Sequence, residues 1–215
     1  MLKVYLADFI ERTDLEGPGY RIAVWFSGCS IRCKGCCNPH LFDQNEDQKM
    51  DLEELFNKIR EVQKFYSDIE GVSVLGGEPF DQPEALLSLL KFSKRRNLST
   101  MVFSGYTLKH IQNSEYSRIL DSIDLLVDGP YIESKRVENR RWIGSSNQGL
   151  HFMTDRYNAS MPCFSMPNEM ELKWKDGELR IYGFPLNLVA EIEKSNKNSI
   201  SKTLNILEGD DIKHS

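Results

Sequence analysis

At 215 residues, with 40% hydrophobic and 27% charged side chains, the chain has the composition of a globular protein able to bury a substantial core, which excludes disorder along its whole length. Its 27 basic and 32 acidic residues leave a net charge of −5, so no general attraction for nucleic acid or anionic membranes is expected. No apolar run reaches membrane-spanning length, and Met1 to Ile10, interrupted by Asp8 and followed by Glu11 and Arg12, carries no signal-peptide pattern.

Val4 and Leu6 alternate with their neighbours, and Ile22 to Phe26 is a compact β-branched and aromatic run, so both segments are expected to be strands. A cysteine-rich loop follows the second. Asp51 is placed to cap a helix over Leu52 to Phe65, where Leu52, Leu55, Phe56, Ile59 and Val62 recur at helical spacing. Val72 to Leu75 is a short buried-type strand that ends at Gly76-Gly77, and Pro83 to Arg95 is the next helix, with Leu86, Leu87, Leu89, Leu90 and Phe92.

Thr100 to Phe103 then reads as a strand, Leu108 to Ile123 as an interrupted helix, and Asp124 to Val127 as a strand before the turn Asp128-Gly129-Pro130. The repeated strand-helix order predicts a parallel α/β sheet. With right-handed crossovers, the cysteine, glycine and Asp128 loops converge at one edge. Toward the carboxyl end, Met170 to Trp174 and Glu178 to Tyr182 flank Lys175-Asp176-Gly177 as a hairpin, with a helix expected after Pro185 and a polar, mobile tail from Ser195. The expected organisation is a core domain over residues 1–160 and an extension over 161–215 packed on it, where Met161, Met166 and Met170 serve as core filler, cover the site or form a docking surface.

Four of the five cysteines lie between Cys29 and Cys37, in loops too short for a set of structural disulfides and suited to metal ligation in a reducing, cytoplasmic setting. Cys163 stands apart and reads as a small buried hydrophobe. Cys29, Cys33 and Cys36 are separated by three and then two residues. Thiolates are the usual ligands of iron-sulfur clusters, and three of them on a cubane of four irons leave one iron open. Cys37 is expected to point away from Cys36, as neighbours do in an extended loop. The competing reading is a zinc knot on these thiols and His40, against which stands the lack of a second paired ligand set.

On this spacing the chain resembles the radical S-adenosylmethionine superfamily, and Gly76-Gly77-Glu78-Pro79 resembles that family's glycine-rich loop. The resemblance implies a partial, open β/α barrel; the segments are too few for a closed eightfold one. It implies that Cys29, Cys33 and Cys36 hold a 4Fe-4S cluster whose open iron chelates S-adenosylmethionine, which one electron cleaves to methionine and a 5′-deoxyadenosyl radical. Gly76, Gly77, Glu78, Pro79, Ser104 and Asp128 are then expected to bind the cofactor, with Tyr106 as an apolar wall. Each also has a plainer reading: a turn with a surface glutamate, a core tyrosine beside a turn, a turn-capping aspartate.

Gly17-Pro18-Gly19-Tyr20-Arg21, Val127-Asp128-Gly129-Pro130, Gly144-Ser145-Ser146-Asn147-Gln148 and the Gly35-Cys36 pair before Asn38-Pro39 resemble the activating proteins of anaerobic ribonucleotide reductase, over about Glu16 to Gln148. That resemblance implies a glycyl-radical enzyme as partner, a flavodoxin-like electron donor and exclusion of oxygen. The chain departs from the pattern at Cys37, where tyrosine is common, and at Ile143, where arginine is common; Arg140 and Arg141 stand nearby. Two other functions share parts of this reading: direct radical chemistry on a nucleotide-like, small-molecule or peptide substrate, and a non-catalytic iron-sulfur or zinc module.

Overall fold

The computed structural model describes residues 2–175 and 178–184. It divides into two units, one that ends at Asn168 and one that begins at Glu169. Residues 161–168 therefore fold with the first unit. The helix expected after Pro185 and the tail from Ser195 lie outside the described residues.

The first unit is built on a seven-stranded sheet in the order β3-β1-β2-β4-β5-β6-β7. Its centre is β2 (Tyr20–Phe26), β4 (Ile69–Gly76), β5 (Ser99–Phe103) and β6 (Leu125–Asp128), all parallel. β1 (Lys3–Thr13) pairs antiparallel with β2 and with β3 (Lys49–Asp51), and β7 (Gly149–Phe152) pairs antiparallel with β6. The sheet is open, with β3 and β7 as its edges, as expected of a partial barrel.

Alternation along the central strands supplies both faces with apolar side chains. Val72, Val74, Val102 and Leu126 pack with Leu55 and Ile59 of α1 (Leu52–Phe65) and with Leu86, Leu89 and Leu90 of α2 (Pro83–Arg95). The interleaved Met101, Leu125 and Val127 pack on the opposite face with Trp142, Ile143 and Tyr157, where Cys163, Phe164 and Met161 join them. Cys163 is thus a half-buried packing thiol. Met166 is exposed.

Several elements differ from expectation. Asp51 occupies the N-cap position of α1, but its carboxylate pairs with Lys3 Nζ at 2.8 Å instead of capping the helix. The segment from Leu108 splits into α3 (Leu108–Gln112) and a 3₁₀ stretch over Glu115–Ser122, because Ser114 Oγ accepts from the Tyr116 N–H and starts a new turn. Neither β3 nor β7 was anticipated.

Below the sheet, Arg21 is fully buried yet richly bonded. It donates to Ser73 Oγ and Ser99 Oγ at 2.8 Å each, to the carbonyls of Pro18, Val72 and Ser99, and to Tyr157 Oη. Burial pushes its guanidinium pKa below the usual arginine range. The Gly17-to-Arg21 segment is therefore a structural plug between β2, β4 and β5.

In the second unit β8 (Met170–Lys175) and β9 (Glu178–Gly183) form the expected antiparallel hairpin, with Lys175 opposite Glu178.

Candidate functional site

The carboxyl ends of the four parallel strands lie at one edge of the sheet, and the loops that leave them are joined by backbone hydrogen bonds. Gly77 N donates to Phe26 O and Glu78 N to Gly28 O, both at 2.8 Å, so the glycine loop is bonded to the entrance of the cysteine loop. Gly129 N donates to Tyr106 O at 3.0 Å and Ser104 N to Val127 O at 2.9 Å, joining the next two. Here glycine is a steric requirement: a Cβ on Gly76, whose φ is +120°, would sit 2.2 Å from Phe26 O, and one on Gly77 would sit 2.0 Å from Gly28 O. The close approach that these two glycines permit is made by the protein's own backbone.

The cysteine loop is held at its start by the Cys29 N–H bond to Phe42 O at 3.0 Å, and it turns through two left-handed residues, Arg32 (φ 49°) and Gly35 (φ 75°). Arg32 is held there by an ion pair with Asp43 and lies over the Phe42 ring. Cys29, Cys33 and Cys36 are free and half-buried, and Cys37 is exposed. Burial pushes the Cys29 and Cys33 thiols up, and the Glu78 carboxylate adds to this.

Cys36 behaves differently: a hydrogen bond from the Cys37 thiol, assisted by the Asn38 N–H at 3.4 Å, draws it down to about 6. Cys37 holds the shared proton and is pushed up accordingly. The two neighbouring side chains therefore meet, against expectation. The chain is turned at this point, with Cys36 N bonded to Cys33 O at 3.2 Å, so strand-like alternation does not apply.

Glu78, Ser104 and Asp128 all reach the site edge, but their polar atoms serve the scaffold. The Glu78 carboxylate is 1% exposed and accepts from Phe80 N, Ser104 Oγ and Gly105 N at 2.8–2.9 Å. Desolvation raises its pKa to about 7, more than these donors lower it. Asp128 accepts from Leu108 N at 2.5 Å, from Gly149 N at 3.1 Å, and pairs with His151 Nε2 at 2.8 Å, so it caps α3 and ties β6 to β7. The Gly144-to-Gln148 segment grips the same turn: Asn147 Nδ2 donates to Pro130 O and Gln148 Nε2 to Gly129 O, while Gln148 Oε1 accepts from Gly144 N and Ser145 N. Of the nearby arginines, Arg141 is buried over Trp142 and donates to Asp14 O, whereas Arg140 is exposed.

Sequence reasoning missed Ser30, Asp81 and Gln82. Asp81 accepts from Ser30 N at 2.6 Å, Ser30 Oγ at 2.9 Å and Tyr106 Oη at 3.2 Å, so Tyr106 contributes its hydroxyl and not only a wall. Gln82 joins Tyr5 of β1 to the Ser27 carbonyl. The only signal was two polar residues directly after a buried Pro79-Phe80 pair, which the position of a helix start accounts for equally well.

A 4Fe-4S cluster fits this loop by donor chemistry: three reduced thiols lie within one tightly turned segment, one of them already inclined to ionise. Among the described residues no three His, Cys, Asp or Glu side chains are drawn together as a metal cage, so the fit rests on the donors and their spacing.

Comparison with known proteins agrees. A family model described as a 4Fe-4S single cluster domain matches residues 15–151. The chain is similar to the anaerobic ribonucleoside-triphosphate reductase-activating protein of Vibrio cholerae, 30% identical over 65% of this chain and 92% of that protein. It is similar to the protein of the same name from Escherichia coli K12, at 29% over 65% and 92%. A pyruvate formate-lyase-activating enzyme from Clostridium pasteurianum is 32% identical over 53% of this chain and 46% of that enzyme.

Proposed function

Because the chain belongs to the 4Fe-4S single cluster domain family and to the anaerobic ribonucleoside-triphosphate reductase-activating proteins within it, we propose that it is a radical S-adenosylmethionine activase whose product is a glycyl radical on a partner reductase. The observation that carries this reading is the convergence of the Cys29-to-Cys36 loop, Gly76-Gly77-Glu78, Ser104 and Asp128 on one sheet edge, joined in two pairs by backbone hydrogen bonds and across the pairs by the Glu78 carboxylate.

Cys29, Cys33 and Cys36 would hold the cluster, and Gly76 to Pro79, Ser104 and Asp128 would border the cofactor. With both groups bound, the site supplies one-electron cleavage of the sulfonium to a 5′-deoxyadenosyl radical. The chain's own task is positional. The glycine contacts fix the cysteine loop against β4, Glu78 locks β4 to β5, and Asp128 closes the edge at β6. A flavodoxin-like protein would donate the electron, and a reducing, cytoplasmic compartment would keep the five thiols free. Among the described residues no helix is long and apolar enough to cross a membrane.

The test is anaerobic reconstitution with iron and sulfide, followed by reduction with S-adenosylmethionine present. 5′-Deoxyadenosine should form, and a glycyl-radical doublet should appear by electron paramagnetic resonance when an anaerobic ribonucleotide reductase is added. Deoxyadenosine without the doublet, together with a modified small molecule, would overturn the activase assignment while preserving the radical chemistry.

A further inference from the structure

The carboxylate of Asp81 stands at the junction of three loops that follow β2, β4 and β5. It lies in the short 3₁₀ turn after the glycine loop (Pro79–Asp81) and receives the backbone N–H of Ser30 at 2.6 Å and its hydroxyl at 2.9 Å. Ser30 is the residue after Cys29. The Tyr106 hydroxyl donates to the same carboxylate at 3.2 Å and lies 3.0 Å from Ser30 Oγ. Tyr106 is itself held by stacking on His110, with centroids 4.8 Å apart, and by its N–H bond to Ser104 Oγ at 3.0 Å.

Nothing in α2 needs this carboxylate, since the helix opens with Pro83 and Asp81 is turned away from its first N–H groups toward Ser30. A charged acceptor on a backbone N–H is one of the stronger hydrogen bonds a loop can have, and here it fixes the peptide that carries the Cys29 sulfur. Among the described residues, the other anchors of the loop are the Cys29 N–H bond to Phe42 O, the Tyr131 backbone N–H on the Cys33 sulfur and the outward-facing Arg32 pair with Asp43, none of which holds the Ser30 peptide.

From this geometry we infer that Asp81, seconded by Tyr106, is a positioning residue for Cys29, orienting its thiolate toward the cluster and placing a fixed negative charge one residue from a ligand. The inference rests on the cluster-holding function proposed above. It assigns Asp81 two separable effects: it restrains Cys29 with or without metal, and it holds the potential of the bound cluster low, because hydrogen bonds and net charge around a cluster set its reduction potential.

Each effect has its own measurement on the full chain. In the metal-free protein under reducing conditions, alkylation of Cys29 by iodoacetamide is followed by peptide mass spectrometry, with Cys163 as internal reference. Loss of the charged clamp in Asp81→Ala should speed Cys29 roughly tenfold while leaving Cys163 unchanged. Tyr106→Phe should give a smaller increase, and Asp81→Asn, which keeps the side-chain shape, an intermediate one. A general loosening of the fold would instead speed both thiols together.

In the reconstituted protein, a redox titration followed by electron paramagnetic resonance should show a more positive midpoint potential in Asp81→Asn and Asp81→Ala, and an unchanged one in Tyr106→Phe. Unchanged Cys29 reactivity and unchanged potential in Asp81→Asn would overturn the inference. Should the wild-type chain take up no cluster, the cluster-holding function fails and the alkylation series alone decides whether Asp81 restrains Cys29.

Discussion

Glu78 and Ser104, at the ends of adjacent parallel strands, share a 2.9 Å hydrogen bond inside the protein, and the acid that accepts it is almost wholly removed from water. Three donors converge on this carboxylate, yet burial outweighs them and its pKa rises from 4.5 to about 7. A group whose pKa is raised by folding favours the folded state fully below the unfolded value, and this contribution is lost as pH rises through the folded value. Wild type should therefore lose roughly 3 kcal/mol relative to Glu78→Gln between about pH 4.5 and 7. Paired thermal or urea melts of the metal-free proteins across that window check it. Parallel curves would show that Glu78 does not titrate there.

The cysteine ligands are separable from their neighbour. Cys29→Ala, Cys33→Ala and Cys36→Ala should each abolish the cluster's absorption band and reduce deoxyadenosine formation to background. Cys37→Ala should retain iron, because the cluster is assigned to Cys29, Cys33 and Cys36 alone. Iron and sulfide analysis after anaerobic reconstitution decides this, and full iron content in any of the first three would remove that residue from the set.

The glycine loop makes a stability prediction that involves no cofactor. Gly77→Ala drives a methyl group into the backbone at Gly28 and should cost about 2–4 kcal/mol, with the cysteine loop displaced. Gly129→Ala meets nothing closer than 3.7 Å and should cost only the strain of its φ of 98°, about 1–2 kcal/mol. Urea midpoints of the metal-free variants rank the two. Equal costs would show that the weld between β4 and the cysteine loop yields easily.

Arg21→Met should destabilise the protein by about 3–5 kcal/mol, since it removes the buried donor to Ser73 Oγ, to Ser99 Oγ and to the Pro18, Val72 and Ser99 carbonyls. The residue lies at the opposite ends of the strands from the cysteine loop. Whatever fraction remains folded should therefore take up iron normally, as measured by iron per folded molecule. A selective loss of iron would place Arg21 in communication with the site.

Much of this was legible in the sequence, because it depends on side-chain type at fixed spacing. The apolar stripe of α1, the parallel strands before Gly76, Ser104 and Asp128, and the hairpin around residues 176–177 each followed from periodicity or turn chemistry. What was not legible depends on partners distant in the chain. Gly149 to Phe152 becomes a strand because β6 offers an unpaired edge, not because Gly-Leu-His-Phe alternates. Asp51 turns to Lys3 because β3 lies against β1, and Cys36 meets Cys37 because the loop is wound where an extended chain was assumed. Gly144-Ser145-Ser146-Asn147-Gln148 and Asp128-Gly129-Pro130 were both recognised, but that one clamps the other could only be seen in three dimensions.

That clamp gives the chain between Gly129 and Gln148 an unusual status. It departs from the sheet beside Asp128 and returns beside the same residue, with Gly149 N on Asp128 Oδ1 and Gln148 Nε2 on Gly129 O. Both ends are fastened to each other before the excursion begins. The register of β6 against β7 is thus fixed at a closed turn, while Trp142 and Ile143 from the interior of the excursion return to the core beside Met101 and Leu125, so the segment is a brace that spans from the rim to the face of the sheet.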